Sequence, residues 1–296
     1  MKSFAFGVLL AGCASTAPAG LAAIATAPDS GAPDGGAPRT ADAAVDAAVP
    51  VVVPGGDTDA ALPPPVLISE VFGHSSNTLY RLNPVTKAVT TVGLFSGCDE
   101  GVIDIAIDKD SKMYGTTFGA LVAIDRLTAR CTLIRTDANY PNSLSFVPAG
   151  TLDPVKEALV GYSGATYLRI DPVSGSRTTV GQLGAGFQSS GDVVSVIGGS
   201  TFLTVKGNGC ADCLVEINPT TGAMVKNWGA VNHSDVYGLA FWAGAVYGFT
   251  SSGELFSVAF RGTMMTTTVI AIPGRPPGLS FWGAGSTTSA PVDEVR

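Results

Sequence analysis

Charge and histidine are scarce in this chain. Only 14% of its 296 residues are Asp, Glu, Lys or Arg, and His74 and His233 are the two histidines. The histidines are isolated from each other and no HxxH or HExxH pattern exists, so the sequence offers no motif for a histidine-based zinc site. Both are expected as exposed loop residues. No Gly-x-Ser-x-Gly elbow is present, so no serine stands out as a hydrolase nucleophile. Lys and Arg are not clustered, which removes the phosphate-binding surface that nucleic acid requires. No apolar run approaches the roughly 20 residues that cross a bilayer; the N-terminal one spans Phe4 to Gly12.

Glycine and proline, by contrast, are plentiful at 37 and 19 residues. They cost a helix interior about 1 and about 3 kcal/mol each relative to alanine, so this composition favours short strands and turns. Much of the net charge of −7 sits early. Residues 13–64 hold six Asp and one Arg, leaving the remainder close to neutral.

The first residues, MKSFAFGVLLAGC, place Leu10-Ala11-Gly12 before Cys13 and so resemble a bacterial lipobox. The resemblance implies a signal peptide over 1–12 and lipidation of Cys13. The alternative is an ordinary signal peptide cut near Ala25-Thr26-Ala27. Either reading exports the chain. Ala14 and Ser15 follow the Cys where an Asp is absent, which by Gram-negative sorting rules implies the outer membrane. Residues 13–64 are Ala, Pro, Gly and Asp-rich and contain no aromatic, so they are expected to form a disordered tether.

Beyond residue 65 the sequence repeats. TLYRLNPVTKAVTTVG at 78–93 returns as TYLRIDPVSGSRTTVG at 166–181, with relatives at 121–134 and 214–228 and a degenerate one at 255–270 marked by Gly262. Each reads as strand, Asx-led turn, strand. The anchor positions Asn83, Asp125, Asp171, Asn218 and Val258 lie 40–47 residues apart, which is the period of a repeat architecture. Two further strand-like runs precede each hairpin. The innermost are 103–108, 143–148, 192–197, 237–242 and 278–283. Four antiparallel strands per period make a β-propeller blade.

The first hairpin lacks an innermost strand, and GLSFWG at 278–283 lacks a hairpin. Joined, they complete one blade from both chain ends. The expected fold is all-β: a five-bladed β-propeller over 65–285, with six blades as the alternative, and a disordered tail at 286–296. The repeats, such as DIAIDKDSKMYGTTFGALVAIDRLTARCTLI, resemble those of the NHL, YVTN and regucalcin-like propellers over residues 66–283. That superfamily hosts scaffolds, lectins, lactonases and lyases, so the resemblance implies a fold rather than a function.

Several residues are candidates for chemistry. Ala106, Ser145, Ser195, Ala240 and Ser280 are small residues expected to line a narrow axis. Asp104, Asn142, Asp192 and Asp235 lie at the mouths of the innermost strands; they either cap loop backbones or hold a Ca2+-like hard cation. The regucalcin-like lactonases use acidic and amide ligands around such an axis, although here the nearest acid of the closing blade is Glu70, on a second strand. No cofactor is otherwise expected. Four cysteines remain for an oxidising compartment: Cys210 with Cys213 and, by elimination, Cys98 with Cys131. The second pair requires the 95–101 loop to climb back along its blade.

Tyr237, Trp242 and Trp282 pack between blades or, if they face one rim, form a stacking platform. The expected role is a non-catalytic, lipid-anchored module that binds a protein or cell-surface polymer at a rim. A divalent-cation-dependent lactonase or lyase is the rival.

Overall fold

A computed structural model describes residues 69–293. Cys13, the signal segment at 1–12 and the tether at 13–64 lie outside the described residues. Within them the chain forms twenty strands and no helix, arranged as five four-stranded antiparallel sheets. Blade 1 holds β20 (Gly283–Ser286), β1 (Val71–His74), β2 (Thr78–Leu82) and β3 (Val89–Leu94), from axis to periphery. Blade 2 runs from β4 (Val102–Ile107) through β5 (Met113–Thr117) and β6 (Ala120–Ile124) to β7 (Cys131–Thr136). Blade 3 runs from β8 (Leu144–Val147) through β9 (Ala158–Ser163) and β10 (Thr166–Ile170) to β11 (Arg177–Gln182). Blade 4 comprises β12 (Gln188–Ser195), β13 (Thr201–Gly207), β14 (Cys210–Ile217) and β15 (Met224–Ala230). Blade 5 comprises β16 (Val236–Trp242), β17 (Ala245–Thr250), β18 (Leu255–Arg261) and β19 (Met264–Ile270).

The middle strands read as nearly continuous apolar runs because each blade is covered on both faces. Successive side chains point to opposite faces, so Val160 and Tyr162 fill the seam towards blade 4 while Leu159 fills the seam towards blade 2. The core accordingly divides into five clusters, one per seam between neighbouring blades.

The repeated hairpins share one turn. In each of Asn83, Asp125, Asp171 and Asn218 the side-chain Oδ1 accepts the backbone N–H groups two and three residues on. The fourth residue after each then takes a left-handed conformation: Lys87 (φ 64°), Ala129 (57°), Gly175 (70°) and Gly222 (72°). Glycine is required only where the neighbouring blade presses in. A Cβ on Gly222 would lie 2.4 Å from the Tyr167 side chain, whereas Lys87 and Ala129 hold the same conformation with a side chain in place.

Both disulfides form. Ser96 pairs with Arg130 in a short parallel bridge and accepts the Cys131 N–H at 2.7 Å, so the 95–101 loop does run back along blade 2 and delivers Cys98 to Cys131. Cys210 and Cys213 bridge at the start of β14.

The chain terminus departs from expectation. The closing strand is Gly283–Ser286 rather than 278–283, pairing with β1 in the register Val71↔Ser286 to His74↔Gly283. Leu279 and Phe281 instead enter the seam between blades 5 and 1, where Phe281 meets Phe249 edge-on. Such side chains are too large for the axis; even a Cβ at Gly283 would fall 2.4 Å from both Asp104 Oδ1 and His74 Nε2. Ser280 is therefore not an axial residue, although Ala106, Ser145, Ser195 and Ala240 are buried on the innermost strands.

Residues 286–290, expected in a disordered tail, are buried. Thr287 bridges to Ile107 of blade 2 and donates its N–H to the Glu70 carbonyl beside blade 1. The Thr288 hydroxyl bonds Glu157, between β8 and β9 of blade 3, the Thr288 carbonyl accepts from Ile197 of blade 4, and the Pro291 carbonyl accepts from Ala243 of blade 5. Thr287, Thr288 and Pro291 thus tie all five blades together at one end of the axis. The 69–70 segment enters at this same end, where the Ser69 hydroxyl bonds the Ser289 carbonyl.

Candidate functional site

The other end of the axis is a mouth of about 300 Å3, lined by Ile103, Phe118, Asn142, Ser190, Gly191, Tyr237 and Trp282. Every blade contributes. Its construction follows from β-bulges, which insert an extra residue and re-aim the side chains around it. In β4 the register slips between Val102 and Asp104, in β12 between Ser189 and Val193, and in β16 between Val236 and Gly238. The residues left over are Ile103, Ser190 with Gly191 and Asp192, and Tyr237, and nearly all of them face the mouth. Trp282 and Asn142 reach the same level from the loops before β20 and β8. Phe118 extends from the turn between β5 and β6 and is 59% exposed; Trp282 is 39% exposed.

Because blades 5 and 2 flank blade 1, Tyr237, Trp282 and Phe118 come from three consecutive blades and form an aromatic arc. Asn142 and Ser190 supply the polar side from blades 3 and 4. The Tyr237 hydroxyl donates to Asp235 Oδ1 at 3.1 Å, and its pKa is raised by partial burial and by that carboxylate.

One residue deeper lies a layer made of Asp104, Ser143, Asp192, Gly238 and Gly283. Asp104 and Asp192 are fully buried, and their carboxyl groups meet. Asp104 accepts the N–H of Ile105 (2.9 Å) and of Leu144 in blade 3 (2.6 Å). Asp192 accepts those of Val193 (2.6 Å) and of Leu239 in blade 5 (2.6 Å). Each acid therefore staples its own blade to another. Burial pushes both pKa values well above the carboxylate range, and a proton on Asp104 directed at Asp192 lets the pair coexist.

His74 completes this layer from blade 1. It is fully buried, contrary to the expected exposed position, because the β1 register places it behind Gly283. Its Nδ1 lies 2.9 Å from the Ser75 carbonyl and so carries the hydrogen, leaving Nε2 as a bare acceptor 4.0 Å from Asp104 Oδ1 with no hydrogen-bond partner. Burial lowers its pKa to about 4, with the Ser75 carbonyl pulling the other way. His233 sits elsewhere, stacked on Phe256 and bonded to Glu254.

The four candidate cation ligands thus separate. Asp104 and Asp192 face the buried layer with every carboxylate oxygen engaged by a backbone N–H, while Asn142 lines the mouth and Asp235 is exposed beside Tyr237. Among the described residues no group of three His, Cys, Asp or Glu side chains is arranged to hold a metal ion. The three aromatic candidates separate as well. Tyr237 and Trp282 share the mouth, but Trp242 lies at the plugged end beside Ser69, Glu70 and Arg81. Glu70 is buried there between Arg81 (3.0 Å) and Arg126 (3.2 Å). Sequence reasoning missed Phe118 and Ile103. An aromatic at the tip of a tight turn, as in Thr117-Phe118-Gly119, was the available signal for Phe118.

No family model matches the chain, and no curated protein matches it. Among solved structures, a chain of a nidogen/laminin complex is similar at 9% identity and a TM-score of 0.47, covering 76% of this chain and 99% of that one. The PQQ-bound form of aldose sugar dehydrogenase from Streptomyces coelicolor is similar at 16% identity and 0.42, covering 69% of this chain and 78% of that one. At these values neither likeness bears on what this chain binds.

Proposed function

We propose that this chain is an exported, lipid-anchored β-propeller that binds a protein or a cell-surface polymer at the aromatic mouth of its axis. The observation that carries the reading is directional: Phe118, Tyr237 and Trp282 gather at the end of the innermost strands opposite the end where the 69–70 segment enters. The described chain enters at the plugged end, so the mouth lies at the opposite end of the axis from Ser69. Exposed aromatic faces next to amide and hydroxyl groups suit a ligand with an apolar surface and a polar edge, such as a sugar ring or a peptide side chain.

Two experiments test the two halves. Metabolic labelling with a fatty acid should mark the wild-type chain and fail to mark Cys13→Ala; equal labelling of both removes the lipid anchor. Co-sedimentation of the purified full chain with isolated cell-envelope material should fall at least fivefold in the double variant Phe118→Ala/Trp282→Ala. Unchanged sedimentation with a preserved melting temperature removes the mouth as the binding site.

A further inference from the structure

The mouth carries a charge bias as well as aromatic faces. Asp235 holds the Tyr237 hydroxyl from one side of the arc. On the other side, the Glu100 carboxylate lies 3.4–3.5 Å from the point where a side-chain carbon on Gly119, next to Phe118, would sit. Asp212 stands behind Asp235 and accepts its N–H at 3.0 Å. None of these three carboxylates forms an ion pair among the described residues. No Lys or Arg lines the mouth. Arg275, on the loop leading to Trp282, is committed to the carbonyls of Ser252 (2.6 Å) and Leu279 (3.3 Å).

We infer that the group received by the mouth is an alkylammonium, held over the Phe118, Trp282 and Tyr237 rings and between the Asp235 and Glu100 carboxylates. The inference rests on the mouth being the ligand site. Ring faces are negative and attract a cation that sheds its water, with tryptophan the strongest of the three side chains. Carboxylates set just outside the rings add long-range attraction without a desolvated contact, which suits a bulky, weakly hydrated cation better than a metal ion. A neutral sugar or alkyl group would gain from the rings and nothing from the acids. The volume, about 300 Å3, holds one small ammonium head rather than a large ligand.

The probes are choline and 3,3-dimethylbutan-1-ol, which match in shape and differ in charge, titrated calorimetrically into the full-length protein. Choline should bind at least tenfold more tightly, and the ratio should shrink as salt rises. Asp235→Asn should weaken choline at least threefold and leave the alcohol unchanged, while Phe118→Ala, at an exposed position, should weaken both. Equal binding of the two probes overturns the ammonium inference and leaves the mouth as a site. Failure of both to bind at tens of millimolar, by a protein with a normal melting curve, overturns the inference and the mouth together.

Discussion

The two ends of the propeller axis are built from the same five innermost strands and finished in opposite ways. At one end residues 287–291 cross from blade to blade and engage a backbone or side-chain group next to each. At the other, three β-bulges push residues outward and, among the described residues, no segment covers them. Small polar residues in a chain that satisfies its neighbours' hydrogen bonds serve closure. Large aromatic side chains with open faces have no such structural task, so the difference separates the end that holds the ring from the end where we propose a ligand binds.

Removing the plug should have the largest effect. A chain stopped after Ser286 loses about five inter-blade hydrogen bonds at about 1 kcal/mol each, which for a domain of this size lowers the melting temperature by about 10–20 °C. Differential scanning calorimetry reads this directly. The mouth, at the far end, should lose ligand only in proportion to unfolding.

The staples come next. Asp104→Ala leaves the Ile105 and Leu144 N–H groups buried without acceptors and should cost about 3 kcal/mol in denaturant unfolding, whereas Asp104→Asn keeps an acceptor and should cost about half as much. Equal losses for Ala and Asn would mean the carboxyl does not bridge the blades.

The pH dependence follows from the same layer. The native His74 ring titrates at about 4 rather than 6.5, so between those values the unfolded chain binds a proton that the native chain refuses. Stability therefore falls as pH drops from about 6.5 towards 4, by up to about 3 kcal/mol. Asp104 and Asp192 act in the opposite sense. Their raised native values keep protons that the unfolded chain releases, so their contribution is greatest in acid and is lost as pH rises through those values. His74→Gln should flatten the acid limb in a urea-midpoint series and leave the alkaline limb in place.

The smallest effects separate the two aromatic sets. Trp242→Ala, partly buried at the plugged end, should lower stability by about 1–2 kcal/mol without touching ligand affinity. Phe118→Ala should leave stability within about 0.5 kcal/mol and reduce affinity.

Much of this architecture is legible in the sequence because its signals are local. Asn83, Asp171 and their relatives mark turns by their own side-chain chemistry, and the Thr/Val runs after them have high β propensity. Their even spacing then counts the blades. The closing strand is illegible for the opposite reason. Gly-Ala-Gly-Ser has no strand signature and fits because the axis has no room for more, while Leu279 and Phe281 imitate the alternation of a strand and serve a seam instead. The plug, Thr-Thr-Ser-Ala-Pro, has the composition of a loop, and only the blades around it give its polar groups partners. The mouth fell short by one residue. A bulge is not written in residue type, and one extra residue reverses which side chain faces the axis. Hence Asp104, expected at the rim, is buried below Ile103, and Tyr237 is turned to the rim; Asp192 is buried below the longer, two-residue irregularity of β12.

Hydroxyl-radical footprinting of the chain on intact envelopes, compared with the purified chain, tests the asymmetry of the axis most directly. The expected result is protection of Phe118, Tyr237 and Trp282 with the reactivity of Trp242 unchanged. Protection confined to Trp242 and residues 287–291, with the three mouth aromatics equally reactive in both states, would contradict it.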